Sequence, residues 1–151
     1  EERSKGYVPV FADGSGIEVS GEYCEQAKTG YNGEKQYWLH SVFIGSLWAS
    51  QRLNPGGVDV SAGWKEQLEQ DIAPLLKGVP VWFRADNAYY RKEVVNYVSE
   101  HGWDYSISVT SGTYKKPLKQ EAEHLLPDDW EKISSIEDAA FVYHQPSGWK
   151  D

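Results

Sequence analysis

Two stretches of this chain follow one pattern. Val79-Pro80-Val81-Trp82-Phe83-Arg84-Ala85-Asp86 is an apolar run that stops at a carboxylate, after which Asn87-Ala88-Tyr89-Tyr90 leads into a helical pattern. Near the start, Val8-Pro9-Val10-Phe11-Ala12-Asp13 does the same and is followed by Gly14-Ser15-Gly16. Short runs rich in β-branched and aromatic residues, bounded by turn residues, read as strands. If these two strands are parallel neighbours, each delivers an aspartate at its carboxyl end, on one edge of one sheet. Two carboxylates brought together in that way suit a divalent metal ion, a hard cation that prefers oxygen ligands.

The rest of the chain supplies elements around this pair. Residues 7–12 read as a strand, Gly14-Ser15-Gly16 as a tight turn and Ile17-Glu18-Val19-Ser20 as a returning strand, which predicts a β-hairpin. Gly21 to Lys35 is polar and reads as an exposed loop; Tyr37 to Trp48 reads as a third strand, and Asn54-Pro55-Gly56-Gly57 breaks the pattern. Ser61 suits a helix N-cap, with Trp64, Leu68, Ile72, Leu75 and Leu76 on one helical face. Pro74 should interrupt that helix and Gly78 should end it. After Asp86, the residues Tyr90, Val94, Tyr97, Val98 and His101 predict a second amphipathic helix stopped by Gly102. Asp104 to Val109 alternates, with Tyr105, Ile107 and Val109 facing one way.

Beyond Thr110, Leu118, Ala122 and Leu125 suggest a short helix ended by Pro127. Ala139 to His144 suggests one more strand, and Gln145-Pro146-Ser147-Gly148 a hairpin turn. An antiparallel unit followed by strand, helix, strand, helix, strand predicts an α/β architecture: a ribonuclease-H-like mixed sheet, with three antiparallel strands followed by strand-helix-strand and helices packed on it.

Composition narrows the function classes. A chain of 151 residues with 40% hydrophobic content is long enough for one real core. No apolar run reaches the roughly 18 residues of a membrane span, and Glu1-Glu2-Arg3-Ser4-Lys5 lacks the apolar stretch of a signal peptide. The single cysteine, Cys24, excludes an internal disulfide and a Cys-x-x-Cys zinc site; with Glu22 and Glu25 beside it, it reads as inert. Such usage fits a cytoplasmic location. The net charge of −8 disfavours the bare domain as a general nucleic-acid surface but is compatible with a metal-dependent nuclease core, which gathers acidic residues. The absence of methionine, even at position 1, suggests a processed or excised piece of a longer protein.

Phe11-Ala12-Asp13-Gly14-Ser15-Gly16-Ile17-Glu18-Val19-Ser20-Gly21, the Gly30-Tyr31-Asn32-Gly33 loop leading to Tyr37, and Arg84-Ala85-Asp86-Asn87-Ala88-Tyr89-Tyr90 together resemble the catalytic domain of bacterial insertion-sequence DDE transposases. The tail through Trp130, Ala140-Phe141-Val142-Tyr143 and Gly148-Trp149-Lys150 is similar to the insertion region of those proteins. The resemblance implies a ribonuclease-H-like catalytic core over residues 1–110 and the beginning of an α+β insertion region over 111–151. It implies Asp13 and Asp86 as catalytic metal ligands, Mg2+ or Mn2+ as cofactor, double-stranded DNA at transposon ends as partner, and a homodimer on DNA. The family's third ligand is a glutamate in a Tyr/Arg/Glu motif that this chain lacks. Glu121, Glu123, Glu131 and Glu137 stand in other settings, so no third acidic ligand is assigned. Asn87 follows the second aspartate where relatives often carry serine, and Leu53-Asn54-Pro55-Gly56-Gly57 departs from the expected Arg- and Asn-containing glycine turn.

Each assignment has a plainer alternative. Asp13 before Gly14 suits a turn, and Asp86 or Asn87 suits a helix N-cap. Arg84, Arg91 and Lys92 flank the second aspartate as candidate phosphate contacts, or belong to a solvated helix start. Lys115, Lys116 and Lys119 read as an exposed cluster. Trp38, Trp48, Trp64 and Trp82 read as core residues, whereas Trp130 and Trp149 lie in weaker patterns. The four histidines show no metal spacing, and His101 reads as a dipole partner at a helix end. Two other functions fit the composition: a ribonuclease-H-like nuclease without transposition, and an aromatic-rich carbohydrate- or protein-binding module.

Overall fold

The structure, a computed structural model, describes residues 6–30, 33–109, 112–142, 144, 146 and 149. It divides into two compact units, Glu1–Ser108 and Val109–Asp151.

The first unit is built on one mixed sheet. Its strands are β1 (Val8–Glu18), β2 (Lys28–Thr29), β3 (Lys35–Ile44), β4 (Leu47–Asn54), β5 (Val81–Ala85) and β6 (Asp104–Ile107). They lie in the order β2-β3-β1-β5-β6, with β4 also paired to β3. β1 runs antiparallel to β3 from Val10↔Ile44 to Glu18↔Gln36 and parallel to β5 from Val8↔Val81 to Ala12↔Ala85. β6 continues the parallel side. Antiparallel neighbours thus meet parallel ones at β1, as the ribonuclease-H-like order requires.

The predicted first hairpin is replaced by a single long strand. Gly14 and Gly16 lie within the ladder opposite His40 and Trp38, and no turn interrupts β1. Glycine is used here for close approach. A Cβ on Gly14 would stand 2.2 Å from Val60 Cγ2, and one on Gly16 would stand 2.8 Å from Gln36 Oε1. The true hairpin falls inside the aromatic run read as one strand. Ile44 pairs with Leu47 around Gly45-Ser46, where Gly45 takes φ +59°, a left-handed conformation that glycine adopts without steric cost. The loop read from Gly21 to Lys35 carries the short β2 on the edge of β3.

Helices cover one face of this sheet. α1 (Trp64–Gln67) passes into a π-turn at Leu68–Ile72 and a 3-10 turn at Ala73–Leu76. Pro74 explains the change, because it has no N–H to give the i−4 carbonyl and the ladder must shift around it. Ser61 does not cap α1: Gly63 stands at the N-cap, and the Ser61 hydroxyl donates to Asp59 Oδ1 at 2.6 Å. Trp64, Leu68, Ile72 and Leu76 are buried as expected, but Leu75 is 66% exposed because the tighter last turn rotates it outward. α2 (Lys92–Glu100) buries Val94, Tyr97 and Val98. At its end His101 Nδ1 hydrogen-bonds Tyr97 O at 2.8 Å, which fits the expected role at a helix terminus. These side chains join Val10, Ala12, Val42, Val81, Phe83 and Trp103 in one core. Alternation sends Phe11, Phe43 and Trp82 to the opposite face, where they are half-buried. Of the tryptophans expected inside, only Trp64 is buried; Trp48 is 59% exposed and stacks on Phe43 with ring centroids 5.6 Å apart. Tyr105 is 42% exposed, since β6 is an edge strand with one neighbour.

The second unit contains α3 (Gly112–Ala122), a 3-10 turn at Pro127–Asp129, and a two-strand ladder of β7 (Glu131–Lys132) and β8 (Asp138–Ala139). α3 ends before Leu125, earlier than expected. The strand expected from Ala139 to His144 is limited to Asp138–Ala139; Tyr143 and three residues of the expected turn, Gln145, Ser147 and Gly148, lie outside the described residues. Among the described residues no helix is long and apolar enough to cross a membrane.

Candidate functional site

The last register pair of the two central parallel strands is Ala12↔Ala85, and the next residue on each strand is an aspartate. Asp13 remains in β1, opposite Ser41. Asp86 keeps an extended backbone at φ −79°, ψ −175° before the chain turns. Neighbouring strands stand ~4.8 Å apart, so Asp13, within β1, and Asp86, just past β5, lie side by side. Both are exposed. Alternation puts Asp13 on the sheet face of Phe11, and Asp86 on that of Arg84. Only Asp86 lies at the carboxyl end of its strand, as the sequence pattern predicts; β1 runs on to Glu18 because it stays paired with β3, so Asp13 sits within its strand.

Of the plainer roles, the cap at Asp86 occurs, whereas the turn at Asp13 does not, because β1 continues through it. Asp86 Oδ1 accepts the Ala88 N–H at 2.9 Å and caps the 3-10 turn Asn87–Tyr89, not α2 itself. Asp13 Oδ2 accepts the Ser15 hydroxyl at 3.4 Å. A capping contact leaves a carboxylate with further lone pairs, so capping and metal ligation are compatible. The donor set suits a hard divalent cation, although among the described residues no group of three or more His, Cys, Asp or Glu is arranged to hold a metal.

The expected basic residues separate into different settings. Arg84 lies with its guanidinium over Phe11 at 5.4 Å and over Trp82 at 5.1 Å, so cation–π contacts hold an exposed charge two residues from Asp86. Arg91 is engaged within the protein. Its Nη2 donates to Ala88 O at 2.6 Å and to Asp59 Oδ1 at 3.1 Å. Lys92 is exposed at the start of α2. Glu121, Glu123, Glu131 and Glu137 belong to the second unit.

Sequence reasoning missed two features near the aspartates. Asp59 accepts from the Ser61 backbone at 2.9 Å as well as from the Ser61 hydroxyl and Arg91, and so ties the loop at 55–63 to the turn after Asp86. Burial alone would raise its pKa, but the Ser61 hydrogen bonds and the Arg91 charge outweigh that and hold it below the ordinary aspartate value. The second is a buried polar group. Tyr89, three residues after Asp86, hydrogen-bonds His40 Nε2, and His40 Nδ1 hydrogen-bonds Gln67 Oε1. All three side chains are fully buried. Burial lowers the His40 pKa, and burial with the charges of Asp86 and Asp13 raises that of Tyr89. A lone histidine in an apolar strand gives no sequence signal of such a contact.

The chain belongs to the transposase DDE domain family, whose profile matches residues 4–139. Its fold is similar to that of a piggyBac transposase in a synaptic complex with hairpin DNA, at 12% identity and a TM-score of 0.54, covering 74% of this chain and 25% of that one. It is also similar to the Mos1 transposase in a paired-end complex with the left transposon end, at 15% identity and a TM-score of 0.50, covering 81% of this chain and 48% of that one. The chain thus spans a quarter of the first and about half of the second. No curated protein matches it in sequence. The fold is the ribonuclease-H-like mixed α/β fold of transposase catalytic domains.

Proposed function

We propose that this chain is the first part of the catalytic core of a bacterial insertion-sequence transposase that cleaves and joins phosphodiester bonds at transposon ends. Asp13 and Asp86 are the metal ligands and the catalytic residues of this part, with Mg2+ or Mn2+ as the cation. The observation that carries the reading is the parallel pairing of Ala12 with Ala85, which is followed on each of two adjacent strands by an exposed carboxylate in a transposase-family chain. A bound divalent ion of this kind supplies Lewis-acid stabilisation of charge on phosphate oxygens.

The protein's own part is to hold oxygen donors and to receive the DNA. Asp86 is oriented by the Ala88 N–H, and Asp13 by its place in an uninterrupted strand. Arg84, fixed on Phe11 and Trp82, is the best placed of the three candidate cations to meet a phosphate near the aspartates. Arg91 acts indirectly, by bracing the turn that follows Asp86. Residues 111–151 begin the family's insertion region. With no third acidic ligand assigned, this piece alone is inactive or nearly so, and the complete protein works as a homodimer on double-stranded DNA in the cytoplasm.

The test is a titration of Mn2+ and Mg2+ into the wild type, Asp13→Ala and Asp86→Asn, followed by calorimetry. Asp86→Asn is chosen because an amide oxygen preserves the contact to Ala88. Each substitution should weaken cation binding at least tenfold. Equal binding by all three proteins would remove both aspartates from the site.

A further inference from the structure

The Tyr89–His40 contact is one link in a longer chain of hydrogen bonds. Gln67 Nε2 donates to Ser50 Oγ at 2.9 Å, and Ser50 Oγ donates to Asp71 Oδ2 at 2.6 Å. Arg52 Nη2 closes the far end on the same Asp71 oxygen at 3.2 Å. Because the amide nitrogen of Gln67 faces Ser50, its Oε1 faces His40 and can only accept. His40 therefore carries its proton on Nδ1, and its Nε2 accepts from the Tyr89 hydroxyl. Every donor points the same way, from Tyr89 to the carboxylate of Asp71.

The two ends of the Tyr89–His40 link have definite positions. Tyr89 ends the turn that Asp86 caps, and His40 stands opposite Gly14, the residue after Asp13. The link thus joins the segment after Asp86 to β3, with β1 and Asp13 between them in the sheet order. An apolar core would not need it, since burying a tyrosine hydroxyl, an imidazole and an amide gains little stability even when all are satisfied. What such a chain does provide is a fixed geometry, because any displacement of Tyr89 leaves a buried imidazole nitrogen unpaired.

We infer that Tyr89 and His40 are positioning residues, and that their buried hydrogen bond sets the placement of Asp86 against Asp13. This placement has catalytic meaning only on the metal-ligand reading proposed above, but it can be measured without it. Substituting Cys24→Ser, Asp13→Cys and Asp86→Cys in the full chain puts two thiols side by side on adjacent strands. Strands ~4.8 Å apart lie within the roughly 4.4–6.8 Å Cα separation that a disulfide spans. The rate of disulfide formation with oxidised glutathione then reports how well the two positions are held together.

Adding Tyr89→Phe should slow disulfide formation at least fivefold at matched folded fraction. Adding Leu76→Ala, a core truncation outside the hydrogen-bond chain, should leave the rate within twofold. The double substitution Tyr89→Phe with His40→Leu should recover stability but not the rate. The 15N spectrum of the His40 ring in the unsubstituted protein should show a neutral imidazole protonated on Nδ1. A Tyr89→Phe rate within twofold of its parent, or a proton on Nε2, would overturn the inference. In a separate arm, Tyr89→Phe in the otherwise native chain should weaken Mn2+ binding at least fivefold. Failure of the native chain to bind Mn2+ at all would instead defeat the metal reading and leave the cross-linking result standing.

Discussion

Val60 stands so close over Gly14 that a Cβ on the glycine would lie 2.2 Å from Val60 Cγ2 and 3.1 Å from Val60 O. The residue after the first aspartate therefore has to be glycine because a loop lies against it, not because the strand turns there. Gly14→Ala should destabilise the protein by about 1–3 kcal/mol, the usual cost of forcing a methyl group into filled space. Val60→Ala in the same chain should return part of that loss, because it removes the nearer of the two obstructing atoms. Urea denaturation of the two single variants and the double variant measures this, and simple additivity would argue against the contact.

The buried His40 makes stability sensitive to mild acid. Burial lowers its pKa below the ordinary 6.5. The Gln67 hydrogen bond and the Asp13 charge oppose the shift, and the Arg52 charge adds to it. In the unfolded chain the ring gains a proton near pH 6.5, while in the fold it stays neutral to lower pH. The contribution of the neutral ring is therefore complete above that value and declines as pH falls below it, by at most about 1.4 kcal/mol per pH unit. The urea midpoint should drop between pH 7 and pH 5, and His40→Leu with Tyr89→Phe should flatten that decline. An unchanged slope would mean that another group titrates there.

The sequence made the central strands legible because each is a short apolar run ending in Ala-Asp, bounded by residues that strands avoid. Which strands are neighbours follows from the handedness and order of connections, and this too was accessible. The first hairpin was misread because Gly14-Ser15-Gly16 carries turn chemistry, while the close neighbours that demand those glycines, Val60 and Gln36, are distant in sequence. The hairpin at Gly45-Ser46 was missed because one apolar run continues through it with little polar punctuation. The exposure of Trp48 and the burial of His40 depend on register, and one residue of register reverses every face. The repeated Ala-Asp after two apolar runs made the aspartates neighbours on condition that the strands pair in parallel, which they do, but the contacts around them, Tyr89 with His40 and Asp59 with Arg91, join residues tens of positions apart.

A second acid-sensitive group lies at the far end of the hydrogen-bond chain. The Ser50 hydroxyl, and with it the Arg52 guanidinium, hold Asp71 below the ordinary aspartate value of 3.8. A lowered carboxylate pKa contributes stability that is complete above the unfolded value and lost as pH falls through the folded one. Its side chain is 35% exposed, so solvent screening limits the contribution to less than about 1 kcal/mol. Asp71→Asn should therefore leave stability between pH 4 and pH 2 less dependent on pH than in the wild type. Thermal denaturation across that range checks it, and parallel curves would remove Asp71 from the account.

Asp86 carries two duties that different substitutions separate. As the cap of Asn87–Tyr89 it accepts one backbone N–H, and loss of such a cap costs about 1 kcal/mol. As a neighbour of Asp13 on the adjacent strand it also carries a second negative charge, and like charges side by side repel when no cation lies between them. Asp86→Ala removes both cap and charge, so the two effects oppose each other and the net change should be small. Asp86→Asn keeps the cap and removes only the charge, so in chelator it should melt above both the wild type and Asp86→Ala. Added Mn2+ should raise the wild-type melting temperature and leave both variants nearly unmoved, since a ligand stabilises only the state that binds it. If Asp86→Asn melts below wild type in chelator, the two carboxylates do not repel one another and their proximity loses its electrostatic support.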